Sequence, residues 1–77
     1  MNLNYYRRLR DMREDHDMKQ SQVAEYLGIA RTQYLRYEKG YQAIPVDLLI
    51  RLAALYKTST DYLLGLTDNP KPYNKIL

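Results

Sequence analysis

An all-α domain of five short helices is what this sequence predicts, and three stretches carry that expectation. In Gln20–Gly40, QSQVAEYLGIARTQYLRYEKG, two apolar-periodic segments flank Gly28. Ahead of it, Tyr5, Leu9, Met12 and His16 fall within one narrow arc when each residue turns by about 100°. Behind it, PVDLLIRLAALYK (Pro45–Lys57) is apolar over more than half of its circumference.

Composition sets the outer limits. Seventy-seven residues make one small domain with no space for a catalytic domain beside it. Such a chain buries roughly 60% of its unfolded surface, so modest stability is expected. An apolar fraction of 45% argues against wholesale disorder, and zero cysteines exclude disulfides and thiolate metal sites. A long apolar run and a signal-peptide pattern are both missing, so a cytoplasmic location is expected, with no membrane partner. The net charge of +3 permits a polyanionic partner without demanding one. All nine aromatic residues are tyrosines, whose hydroxyls need partners or a route to water when buried.

The first helix is expected over residues 3–16, with Tyr5, Leu9, Met12 and His16 inward. Arg7, Arg8, Arg10, Asp11, Glu14 and Asp15 form a salt-laced wet face, and Arg13 lies just beside the stripe. His16 is a lone imidazole with no second ligand in helical register, which makes it structural. Asp17 and Met18 form the first turn; an aspartate there is modestly strained if it goes left-handed. The second helix spans Gln20–Leu27, with Val23 and Leu27 at i, i+4 on one face and small Ala24 where another helix crosses closely. Lys19, in the capping place, has no acceptor for the free amides, but its charge can reach a phosphate.

Gly28-Ile29-Ala30 is the corner, since glycine takes the left-handed conformation that ends a helix sharply. The third helix then runs Arg31–Lys39, with Tyr34 and Tyr37 inward and Thr32, Leu35 and Arg36 opposite, flanked by Arg31 and Gln33. Two helices at a steep angle joined by a three-residue glycine turn make a helix-turn-helix, whose second helix can enter the DNA major groove. Ala30 caps that helix poorly, at about 1 kcal/mol.

Gly40 ends the third helix, and Pro45 is expected as the first residue of the fourth. In that core helix Leu48, Leu49, Leu52, Ala53, Leu55 and Tyr56 dominate, and Asp47 and Arg51 form a thin polar strip. Thr58-Ser59 with Asp61 reads as a cap for a fifth helix, Thr60–Leu64, stopped by Gly65. Leu55, Tyr62 and Leu66 look surplus to the core, a candidate apolar contact patch. The domain is thus drawn over residues 1–66. Residues 67–77, TDNPKPYNKIL, are an extended tail whose Ile76-Leu77 end suggests docking on its own domain or on a second copy.

The outer face of the third helix suits base edges. Arg31 and Arg36 can donate in pairs to guanine, Gln33 can pair with adenine, and Leu35 or the Thr32 methyl can meet a thymine methyl. Enzyme chemistry has no such footing: there is no nucleophile–base pair, ligand cluster or glycine-rich phosphate loop, and no cofactor or metal is expected.

From Arg8 to Leu66 the chain resembles the Xre/Cro/cI-type helix-turn-helix family of phage and bacterial repressors. The matching marks are RLRDMRED, Gln20, Ala24, Gly28, the RYEKG run and PVDLLIRLAALYKTSTDYLLG. The resemblance implies a compact five-helix, lambda-repressor-like domain in which Arg13 pairs with Glu38. It also implies that Gln20 grips the DNA backbone and braces the recognition helix. By the same resemblance the loop holding Lys39, Tyr41 and Gln42 lies along the phosphates, and the fifth helix with the segment after it forms a homodimer contact. The expected function is a sequence-specific regulator of transcription, a repressor binding a palindromic operator as a homodimer. The alternative is an antitoxin-like or antirepressor module with a protein partner on the same fold.

Overall fold

The computed structural model describes residues 4–72, and five α-helices are the regular elements among them. They are α1 (Arg7–Asp15), α2 (Gln20–Leu27), α3 (Arg31–Glu38), α4 (Val46–Leu55) and α5 (Thr60–Leu63). The all-α expectation holds. Helix α2 packs on α3, α1 on α3 and α5, and α4 on α5, enclosing a core of Leu9, Val23, Leu27, Tyr34, Leu52 and Leu63 with their neighbours.

Local chemistry sets most of the helix ends. Gly28 sits at φ +73°, and the Ile29 amide donates back to the Ala24 carbonyl, closing α2 in a left-handed cap. Asp17 takes φ +54°, so the strain anticipated there is present. Ser59 accepts a hydrogen bond from the Tyr62 amide at 3.0 Å, the capping contact that starts α5. At α2 the Lys19 side chain accepts nothing, but the Gln22 side chain reaches back to the Lys19 amide at 2.8 Å. This is the glutamine half of a capping box.

Helices α1, α3 and α5 each end one residue before the expected bound, and larger departures come at the start of α1 and at the ends of α4. Helix α1 begins at Arg7 rather than residue 3, because Tyr6 is extended at φ −121°. Tyr5 therefore leaves the buried stripe and is 42% exposed, while Tyr6 packs against the core instead. His16 is also exposed, its ring 5.0 Å from that of Tyr56. Pro45 is the cap of α4 and not its first residue, and Lys57, at φ +53°, comes after the helix in a left-handed conformation.

Arg8 is a clamp rather than a solvated charge. Its guanidinium lies 4.0 Å from the Tyr62 ring centre and donates to the carbonyls of Tyr62 and Thr67 and to Asp68. Thr58 donates to the Pro70 carbonyl at 2.7 Å. The chain after Leu66 is therefore tied to the body as far as Pro70, while Ile76 and Leu77 lie outside the described residues. Arg51, expected on a thin polar strip, donates to the carbonyls of Tyr26 and Leu27 at 2.7 and 3.1 Å. A cation on the last carbonyls of α2 opposes the helix dipole and pins the corner onto α4.

Gly40 and Gly28 share a positive φ but not surroundings. A Cβ on Gly40 would fall 2.7 Å from the Tyr5 backbone, whereas one on Gly28 meets nothing within 4 Å. Gly28→Ala should cost about 1–2 kcal/mol, the left-handed penalty alone. Gly40→Ala should cost clearly more, because the Tyr5 segment must move as well. Urea denaturation of the two variants checks the order.

Candidate nucleic-acid interface

The rotation of the third helix is decided by its two inward tyrosines. Tyr34 is fully buried and Tyr37 is 8% exposed, so the helix can present only its opposite face. Arg31, Thr32 and Arg36 are exposed there, with Gln33 and Leu35 half-buried at its edges. Leu35 is thus less open to water than the helical wheel suggests.

Beneath α3 lies an ion pair. Arg13 Nε donates to Glu38 Oε2 and its Nη2 to Glu38 Oε1, both at 2.9 Å, while Nη1 donates to the Met18 carbonyl at 2.9 Å. The two side chains are only 12% and 5% exposed. A planar fork meeting both carboxylate oxygens is the geometry in which such a pair is strongest. Gln20 adds a longer contact, its amide donating to Glu38 Oε1 at 3.4 Å. The pair thus joins α1, the first turn, the start of α2 and the end of α3.

Burial alone would push the Glu38 carboxyl up; the hydrogen bonds and the charge of Arg13 outweigh it and hold the group below its usual value. Hydrogen bonding to Glu38 raises Arg13 in turn. Burial, and then the Glu38 charge, push Tyr34 up strongly and Tyr56 up to about 12. The Tyr34 hydroxyl lies beside Glu38, yet no hydrogen bond of standard geometry closes on it or on the Tyr56 hydroxyl among the described residues.

Counter-ions are distributed unevenly. Arg7 pairs with Asp11, Arg10 with Asp11 and Glu14, Arg8 with Asp68 and Arg13 with Glu38. Arg51 is held by carbonyls. Arg31 and Arg36 have neither kind of partner among the described residues. The sole carboxylate of α3, Glu38, is turned inward and neutralised. Lys19, Lys39, Tyr41 and Gln42 are exposed around this helix, Tyr41 to 66%. The arrangement can offer cationic and amide donors to an anionic, hydrogen-bonding surface. It holds no group of three or more His, Asp or Glu able to bind a metal among the described residues.

The amides of Tyr41 and Gln42 both donate to the Arg36 carbonyl, at 2.8 and 3.3 Å, which folds the loop back on the end of α3. Gln33 Nε2 then donates to Gln42 Oε1 at 2.8 Å. No sequence signal points to this contact.

The expected apolar contact patch needs revision. Leu55 packs against the core, and the Tyr62 ring is half-buried under Arg8, leaving only Leu66 open, at 73%. Val46 and Ile50, one turn apart on the outer side of α4, are exposed to 70% and 55%. Counting apolar residues around α4 could not show which of them face out.

A family model described as helix-turn-helix matches residues 9–63. The uncharacterized HTH-type transcriptional regulator YobD of Bacillus subtilis is 47% identical over 68 residues, 88% of this chain and 61% of that protein. The HTH-type transcriptional regulator ImmR of the same organism is 39% identical, over 77% of this chain and 46% of its own. The cryptic phage CTXphi transcriptional repressor RstR of Vibrio cholerae is 37% identical, over 64% and 44%. This chain therefore spans about half the length of the curated relatives it matches. No solved structure matches it significantly.

Removing one member of the buried pair strands the other. Arg13→Met or Glu38→Gln should each cost about 3–5 kcal/mol, and the double change to Met and Leu less than the larger single. Because the folded Glu38 value is depressed, its stabilisation is present above the unfolded carboxyl value of about 4.3 and is lost as pH falls below that. A denaturation series from pH 7 to pH 3 should show this loss, and it should be flatter in Glu38→Gln.

Proposed function

The chain belongs to the helix-turn-helix family, and from that premise we propose that it is a sequence-specific, double-stranded-DNA-binding regulator of transcription. It acts as a repressor, docking α3 in the major groove. The observation that carries this reading is the pair of outward arginines, Arg31 and Arg36, without ion-pair partners among the described residues, on a helix whose own carboxylate is buried.

On this reading Arg31, Thr32, Gln33, Leu35 and Arg36 meet base edges, arginine through paired bonds to guanine and Leu35 by apolar contact with a thymine methyl. Lys19, Gln20, Lys39, Tyr41 and Gln42 contact phosphates and fix register without reading sequence. Arg13 and Glu38 touch no DNA but hold the angle at which α3 is offered. Repression results from occupying a promoter.

Two copies related by a two-fold axis would place their recognition helices about 34 Å apart and demand a palindromic operator. Support for a self-complementary contact comes from exposed Leu66 and from a cleft of ≈ 330 Å³ between residues 5–8 and residues 63–65, directly before it in sequence. A second reading, an antitoxin-like interaction module, draws on exposed Val46 and Ile50. It predicts no duplex binding even at low salt, whereas phosphate contacts predict binding that weakens steeply as salt rises.

Selection of sites from a random duplex pool is the direct test. Arg36→Ala should relax one position in each half-site by about 1–3 kcal/mol. Lys39→Ala should weaken all sequences evenly and lower the salt slope by about 1. Uniform loss in both variants would sink the assignment of the reading face.

A further inference from the structure

We propose that Gln42 is a positioning residue for sequence readout: its side chain orients the Gln33 amide so that Gln33 selects adenine at one position of each half-site. The inference rests on the reading that α3 faces base edges, and it adds a residue outside α3 to the specificity machinery.

A primary amide has two N–H donors and one carbonyl acceptor. Pairing with adenine in the major groove uses one donor toward N7 and the carbonyl toward N6. Gln33 spends its other donor on Gln42 Oε1, at 2.8 Å. What remains outward is one N–H and one carbonyl oxygen, the pair that adenine requires. An unrestrained glutamine can turn its amide over and offer its donors to guanine O6 and N7 instead. The contact with Gln42 selects one of these orientations before DNA arrives.

The acceptor is itself held. Gly40 is buried at φ +78° with the Tyr5 backbone over it, and the Gln42 amide is anchored on the Arg36 carbonyl. Gln33 lies three residues before Arg36, about one helical turn, so the returning loop passes within its reach. In open water a bond between two glutamine side chains is weak; with a duplex excluding solvent it gains strength. The NH2 group of Gln42 stays available for phosphate, so one residue links a backbone contact to a base contact.

Site selection with the full chain tests this through three variants, each checked for a native circular dichroism melt. Gln33→Ala defines the position it reads. Gln42→Ala should lose adenine preference at that same position by about tenfold, within what one bidentate contact supplies, and leave the positions read by Arg31 and Arg36 unchanged. Gln42→Glu keeps an acceptor for Gln33 while placing a negative charge near phosphate. Its adenine preference should stay within about twofold of the parent as affinity falls for every sequence.

If Gln42→Ala keeps the parent preference while Gln33→Ala loses it, the positioning role is wrong and the reading face stands. Loss of the preference in Gln42→Glu as well would overturn the acceptor role. An unchanged preference in Gln33→Ala and Arg36→Ala together would overturn the reading face itself, a different outcome from either.

Discussion

The bidentate pair of Arg13 and Glu38 is the constraint on which the remaining geometry depends. Two charges withdrawn from water lose hydration worth several kcal/mol each, and only close, fully bonded geometry offsets that loss. Here each Glu38 oxygen meets a guanidinium N–H at 2.9 Å, and the third Arg13 bond goes to the Met18 carbonyl. A pair of this kind has little freedom to slide. Because its members lie on α1 and at the last residue of α3, their fixed distance sets how the two helices meet. Tyr34 and Tyr37 set the rotation of α3 about its own axis. Both together leave one orientation for the outward face.

Charge allocation stems from the same arrangement. The carboxylates that neutralise arginines among the described residues lie on α1, at the end of α3 and after α5, and the one on α3 points inward. A net charge of +3 is mild when averaged over the molecule. It is not mild locally, because Arg31 and Arg36 share a helix face with no exposed acid on it. Total charge therefore understates the field that an approaching polyanion would meet.

Periodicity and glycine punctuation make much of this fold legible. Val23 with Leu27, and Tyr34 with Tyr37, identify inner faces, and Gly28 and Gly40 mark where helices stop; these local rules hold in the structure. Arg8 and Arg51 escape such rules because their roles are not local. An arginine written among charged neighbours looks solvated whether it meets water or, like Arg8, a carbonyl 59 residues away. Periodicity also cannot show that Tyr5 departs from helical conformation, since that reflects its crossing over Gly40. For the candidate interface, the outward members of α3 are readable, whereas the Gln33–Gln42 contact is not. It joins two side chains across a turn, and neither residue type signals the other.

The two helices of the motif begin without a side-chain cap, at Lys19 and Ala30, whereas α5 begins with a bonded serine. A missing cap costs about 1 kcal/mol, a sizeable share of the stability a domain this small can hold. Packing must supply what the caps do not. The Gln22 contact with the Lys19 amide acts at the uncapped start of α2, while the Arg51 clamp and the Arg13–Glu38 pair hold the far ends of α2 and α3. The open amides at these ends carry the positive end of each helix dipole, which a phosphate oxygen satisfies better than water. On the proposed reading, then, DNA supplies interactions that the folded chain alone lacks. Any ligand that binds only the folded form stabilises it by RT ln(1 + [L]/Kd). A domain with incomplete caps at its binding helices is therefore one whose folding and DNA occupancy reinforce each other.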